Sequence, residues 1–88
     1  MKINKKDFVK ARVHAHLTPG EALKILREQQ GLTQADLAKI TGINQSNISA
    51  LESNARQIGR ERAIVLATAL KVHPAVLLFP DFDMVKVA

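Results

Sequence analysis

The chain has 88 residues, with 13 Lys and Arg against 8 Asp and Glu and a net charge of +5. That length holds one small domain, and the absence of cysteine removes both a disulfide framework and a thiolate metal site. No apolar run is long enough for a signal-peptide core or a bilayer span, so the expectation is a soluble cytoplasmic protein that does not engage a membrane.

The charge is unevenly placed. Residues 1–16 carry Lys2, Lys5, Lys6, Lys10 and Arg12 against Asp7 alone, a net of +4, and the rest of the chain is close to neutral. A basic arm over residues 1–17 beside a near-neutral domain suits a polyanion; the plainer alternative is a solvated tail. Its conformation is open. Asn4-Lys5-Lys6-Asp7 fits the cap of a helix reaching about His16, whereas Val9, Ala11, Val13, Ala15 and Leu17 alternate as in a strand. The helix or a partly ordered arm is favoured, because Ala, Lys and Arg form helices readily. On a strand, His14 and His16 would have metal-ligand spacing, but two histidines without a third ligand make a weak site. No metal and no cofactor are expected.

From Thr18 the punctuation is clear. Thr18-Pro19-Gly20-Glu21 is a capping box with proline at the first helical position. It opens a helix that runs to about Gln30, with Ala22, Leu23, Ile25 and Leu26 on its buried side and Gly31 as a left-handed stop. A second helix opens at Thr33-Gln34-Ala35-Asp36, where Thr33 caps and Asp36 reaches back. Leu37 and Ile40 are expected to face inward, and Ala35 and Ala38 to allow close approach by another helix. Gly42 supplies the positive φ for a sharp turn. Asn44 caps a third helix over about 45–52, anchored on one face by Ile48 and Leu51. After the loop Ser53 to Gly59, a fourth helix over about 60–71 carries the stripe Ala63, Leu66, Ala67 and Leu70. His73-Pro74 starts a short fifth helix through Phe79, which Pro80 stops. Residues 18–80 thus form the domain and residues 81–88 a tail.

The third helix turns small hydrogen-bonding groups outward. A glutamine amide donates and accepts at once, which matches the N6 and N7 edge of adenine; Gln45 offers this pair, and Asn47 offers it on a shorter arm. Ser46 and Ser49 suit a base or a phosphate, Ala50 offers a methyl to thymine, and Asn44 at the cap joins the contact set. With no Lys or Arg on this helix, bidentate guanine contacts are unavailable, so A·T pairs should dominate the positions it reads. Gln34 is placed to bond a phosphate and to brace Gln45. The N–H groups at the starts of the second and third helices also suit phosphates. Arg56, Arg60 and Arg62 are expected to clamp phosphates, with Arg60 alternatively probing the minor groove.

The motif Leu32-Thr33-Gln34-x-x-Leu37-Ala38, Gly42-Ile43, Ser46-x-Ile48-Ser49-x-Leu51-Glu52 resembles the Cro/repressor-type (XRE) helix-turn-helix family, the class of the lambda and 434 repressors. The resemblance covers about residues 18–79. It implies an all-α, five-helix, lambda-repressor-like bundle, here with a basic N-terminal arm. It also implies that Gln34 and Gln45 act as paired glutamines, and that Arg27 pairs with Glu52 to fix the third helix against the first. Breaking such a pair when buried costs roughly 3–5 kcal/mol. The loop after Glu52 lacks the family's usual glycine, and Asn54 is the residue able to take its positive φ.

Val76, Leu77, Leu78, Phe79 and Phe82 exceed what so small a core readily covers. They suggest a two-fold interface that sets two reading helices about one DNA turn apart; alternatively they close the monomer's own core. The function expected is a sequence-specific transcriptional regulator, a repressor, binding double-stranded DNA as a homodimer at an inverted repeat. The competing reading is an antitoxin of the HigA-like kind, which regulates its own operon and neutralises a protein toxin. An arm of +4 is a poor mask for an RNA-cleaving toxin's basic site, so helical faces or the acidic tail around Asp81 and Asp83 are the better candidates for toxin contact. Purely protein docking is a further alternative. No nucleophile–base pairing, glycine-rich phosphate loop or carboxylate cluster suggests an enzyme.

Overall fold

A computed structural model describes residues 17–81 of the chain. Two reciprocal capping boxes set where its first helices begin. Thr18 Oγ1 accepts from the Glu21 N–H at 3.1 Å while a Glu21 carboxylate oxygen accepts from the Thr18 N–H at 3.0 Å. Thr33 and Asp36 repeat the exchange at 2.9 and 2.8 Å. Each box satisfies two backbone donors that have no partner inside the helix. The helices are α1 (Pro19–Gln29), α2 (Gln34–Thr41), α3 (Gln45–Glu52), α4 (Arg60–Leu70) and α5 (Ala75–Leu78), with no strand among the described residues. This is the all-α five-helix architecture expected from the sequence. The arm (residues 1–16, with its helix-or-strand alternatives and the His14/His16 pair) and the tail beyond Asp81, with Phe82 and Asp83, lie outside the described residues.

Each of the first four helices is followed by a residue in the left-handed conformation. Gly31 (φ 71°) follows α1 and Gly42 (φ 78°) follows α2, a conformation glycine adopts without steric cost. After α4 the same turn falls on Lys71 (φ 61°), and the Gln30 amide donates to the Leu70 carbonyl at 2.6 Å, closing that helix end.

One apolar cluster holds the bundle, built on Leu23, Leu37, Ile48, Leu66, Leu70 and Leu77, all fully buried. The α4 stripe of Ala63, Leu66, Ala67 and Leu70 is buried throughout, as its spacing requires. Two expected core residues are not in it. Ile25 is exposed, because at 3.6 residues per turn it lies about 200° round the helix from Leu23. Ile40, on the last turn of α2, is 55% exposed; the chain turns at Gly42 and buries Ile43 instead. Ala38 packs against the core, whereas Ala35 is exposed. In α5 the apolar run divides: Leu77 is fully buried and Leu78 packs against the core, while Val76 and Phe79 are exposed, so the run only partly closes the monomer.

The start of α1 abuts the end of α3. A Cβ on Gly20 would collide with the Leu51 carbonyl oxygen and lie 2.6 Å from both the Glu52 carbonyl oxygen and Asn54 Oδ1. Absence of a side chain is therefore what lets the two helix ends meet. The described body also closes on itself, since the Leu17 N–H donates to Asp81 Oδ1 at 2.7 Å. Gly20→Ala is expected to lower unfolding free energy by about 1–3 kcal/mol through overpacking, whereas Ile40→Ala should change it by no more than about 0.5 kcal/mol. Urea unfolding followed by circular dichroism measures both.

Candidate nucleic-acid interface

Three residues join α2 to α3. Gly42 reverses the chain, Ile43 is buried beneath the turn, and Asn44 caps the next helix. Thr41 stiffens the turn: its hydroxyl donates to the Leu37 carbonyl at 2.7 Å and accepts from the Ile43 N–H at 3.1 Å. The α3 rod is then seated by Ile48 and Leu51, 0% and 2% exposed. On its other side Asn44, Gln45, Ser46 and Ser49 are exposed, and Asn47 and Ala50 are half-buried. The predicted reading residues thus share the outer side of one short helix that carries no net-positive side chain.

The cap also fixes hydrogen-bond polarity. Asn44 Oδ1 accepts from the Ser46 N–H at 2.8 Å and lies 2.6 Å from Ser46 Oγ. A carboxamide oxygen has only lone pairs, so the serine must supply that proton. Ser46 therefore presents acceptor capacity outward, and Asn44 presents the two N–H donors of Nδ2.

The loop after α3 is tied down by Asn54, which takes the predicted left-handed conformation (φ 66°). Its Oδ1 accepts from the Gly20 N–H at 3.1 Å and its Nδ2 donates to Thr18 Oγ1 at 2.9 Å. The N–H groups of Ala55 and Arg56 both reach the Ala50 carbonyl, at 2.9 and 3.2 Å. Arg56 and Arg60 are exposed and Arg62 half-buried. Arg60 and Arg62 line one depression with Gly59 and Glu61, while Arg56 lines another with Thr18, Pro19, Asn54 and Gln57. Arg56 and the Arg60–Arg62 pair thus line two different depressions. The positive φ of Asn54 was readable from the sequence, but its bonds to α1 and the close approach at Gly20 had no local signature.

Beneath the outer face lies a buried ion pair. Arg27 Nε donates to Glu52 Oε2 at 2.6 Å, Nη2 to Oε1 at 3.0 Å, and Nη1 to the Leu32 carbonyl at 2.7 Å. Both residues are 7% exposed, which makes the pair predicted from the resemblance a buried one. Gln34 departs from its expected partner: its Nε2 donates to Glu52 Oε1 at 3.0 Å, placing the amide on the ion pair where a brace to Gln45 was expected. Burial pushes the Glu52 carboxyl up, but hydrogen bonds from Arg27 and Gln34, with the charges of Arg27 and Lys24, outweigh it and hold the carboxyl below its ordinary 4.5. The bond to Glu52 raises the Arg27 guanidinium, against the opposing effect of burial. Asp36 is also held low, by the Thr33 backbone N–H first and the Thr33 side chain second.

A helix-turn-helix family model matches residues 23–77, more than half of the chain. This chain belongs to that family. The restriction-modification controller protein C.AhdI from Aeromonas hydrophila, known from a high-resolution crystal structure, superposes with a TM-score of 0.64 at 34% identity, covering 67% of this chain and 89% of that one. Antitoxin HipB of Escherichia coli K12 is 40% identical over 43 residues, 49% of each chain. Its counterpart from E. coli O6:H1 matches equally over 46% of its length. The chain spans about half the length of these curated relatives. The XRE-type resemblance drawn from the 32–52 motif is borne out. No helix among the described residues is long and apolar enough to cross a membrane.

Glu52 makes a signed pH prediction. Because its folded value lies below 4.5, the unfolded chain binds more protons there, so its stabilisation is complete above about 4.5 and is lost as pH falls through the folded value. Arg27→Met strands the buried carboxylate at a cost of about 3–5 kcal/mol at neutral pH. Chemical denaturation from pH 7 to pH 4 should show this deficit narrowing on acidification, as Glu52 protonates more readily in the variant; a constant deficit would contradict the assignment.

Proposed function

We propose that this protein is a sequence-specific DNA-binding transcriptional regulator, a repressor, that acts in the cytoplasm as a homodimer on an inverted-repeat operator. The observation that carries the reading is the two-sidedness of α3: Ile48 and Leu51 are sealed into the bundle while Gln45, Ser46 and Ser49 face outward. A helix of this size enters the major groove, and its N-terminal side chains reach base edges. Gln45 and Asn47 read adenine, Ser46 accepts from an exocyclic amine, Ser49 bonds a base or phosphate, and Ala50 packs on thymine methyls.

Affinity comes from elsewhere. Arg56, Arg60 and Arg62, the Asn44 amide and the second Nε2 hydrogen of Gln34 contact the phosphate backbone, with the +4 arm adding long-range attraction. The domain of residues 18–80 supplies the reading surface, and exposed Val76 and Phe79 supply the start of a two-fold contact. The match to Antitoxin HipB favours one second reading, in which the same DNA-binding surface regulates an operon whose other product is a toxin held by this chain.

Selection of bound duplexes from a random pool tests the reading. The expected product is an inverted repeat with A·T pairs dominating the positions under α3; a guanine-only core, or no enrichment, would overturn it. Arg60→Ala should weaken binding to all duplexes and reduce the slope of log affinity against log salt by roughly one unit. Sedimentation at micromolar concentration should show a dimer, and Phe79→Asp should shift it to monomer.

A further inference from the structure

The Glu52 carboxylate is gripped from two helices, and the two grips differ in kind. Arg27 of α1 brings charge and two hydrogen bonds, one to each oxygen. Gln34 of α2 brings no charge, only one N–H aimed at Oε1 from 3.0 Å. Removing the Gln34 amide leaves both Glu52 oxygens still bonded to Arg27, so this bond is an addition to a carboxylate already paired.

Its position suggests its purpose. Gln34 is the first residue of α2 and Glu52 the last residue of α3. The covalent link between the helices lies at their opposite ends, through Gly42, Ile43 and Asn44. The helix pair is therefore fastened at both ends, by the turn at one and by Gln34–Glu52 at the other. Two short rods joined at one end splay about that joint; a tie at the far end fixes the angle between them. Reading base edges requires side chains held within about 0.5 Å of a productive geometry.

We infer that Gln34 is a positioning residue for base reading, which sets the angle of α3 against α2 through Glu52. The inference rests on the proposed reading of DNA by α3. It separates two roles for one residue. A backbone contact strengthens every duplex alike and carries no sequence information. A residue that fixes the angle of the reading helix adds discrimination between duplexes.

The test compares wild type with Gln34→Met, which keeps the side chain's length and loses the amide, and with Gln34→Ala, which guards against crowding by the thioether. Each is titrated at one salt concentration against the duplex obtained by selection and a scrambled duplex of equal length. Both variants should retain the wild-type helical circular dichroism. The ratio of the two affinities should fall about fivefold in both variants, the scale of one lost hydrogen bond. Selection repeated with Gln34→Met should return the same half-site with flatter preferences at the positions under α3. An unchanged ratio, whether both affinities drop together or neither moves, overturns the inference and leaves Gln34 a backbone contact or a bystander. A wild type that does not distinguish the two duplexes instead overturns the DNA reading itself, and this inference with it.

Discussion

One carboxylate organises the interface. Glu52 ends the helix proposed to read DNA, and its two oxygens take hydrogen bonds from α1 through Arg27 and from α2 through Gln34. Neutral partners of this size would pack α3 equally well, since a buried ion pair is not in itself a source of stability. What the pair adds is direction. Guanidinium and carboxylate meet in a planar fork, and that geometry fixes the rotation of α3 about its own axis as an apolar contact does not. Ile48 and Leu51 hold the helix down; Glu52 determines which way it faces.

The arrangement separates the two tasks of a DNA reader. The outer side of α3 carries amides, hydroxyls and a methyl, and no positive charge. Arg56 lies in the loop after α3, and Arg60 and Arg62 in the first turn of α4. On the proposed function, groups that attract any polyanion are thereby kept off the surface that discriminates between bases. The local polarity at Asn44 and Ser46 serves the same end: the hydroxyl proton is spent inside the cap, so each group arrives with its donor or acceptor character already set.

Much of this was legible in the residues, and the reasons are local. Capping boxes at Thr18 and Thr33 and the glycine turns at Gly31 and Gly42 rest on interactions within one helical turn, and the α4 stripe on a repeat within one helix. They appear where short-range chemistry places them. The errors fell on relations between helices. Ile25 and Ile40 are apolar and sit within plausible stripes, but the face a helix buries is decided by its neighbours, and those neighbours chose Leu23 and Ile43. Gly20 read as part of a cap, whereas its importance comes from a helix 31 residues further on. Gln34 was expected on Gln45 by resemblance, and only the packing of α2 on α3 brings it to Glu52. Asn54 lies between the two cases: its backbone conformation followed from residue type, and its tie to Thr18 and Gly20 did not.

The bond between Leu17 and Asp81 carries a consequence for topology. It makes the described body nearly a ring, with polypeptide entering and leaving through one seam. That seam adjoins Thr18, which Asn54 anchors beside the end of α3. The two ends of the described body therefore lie side by side, at one place on its surface.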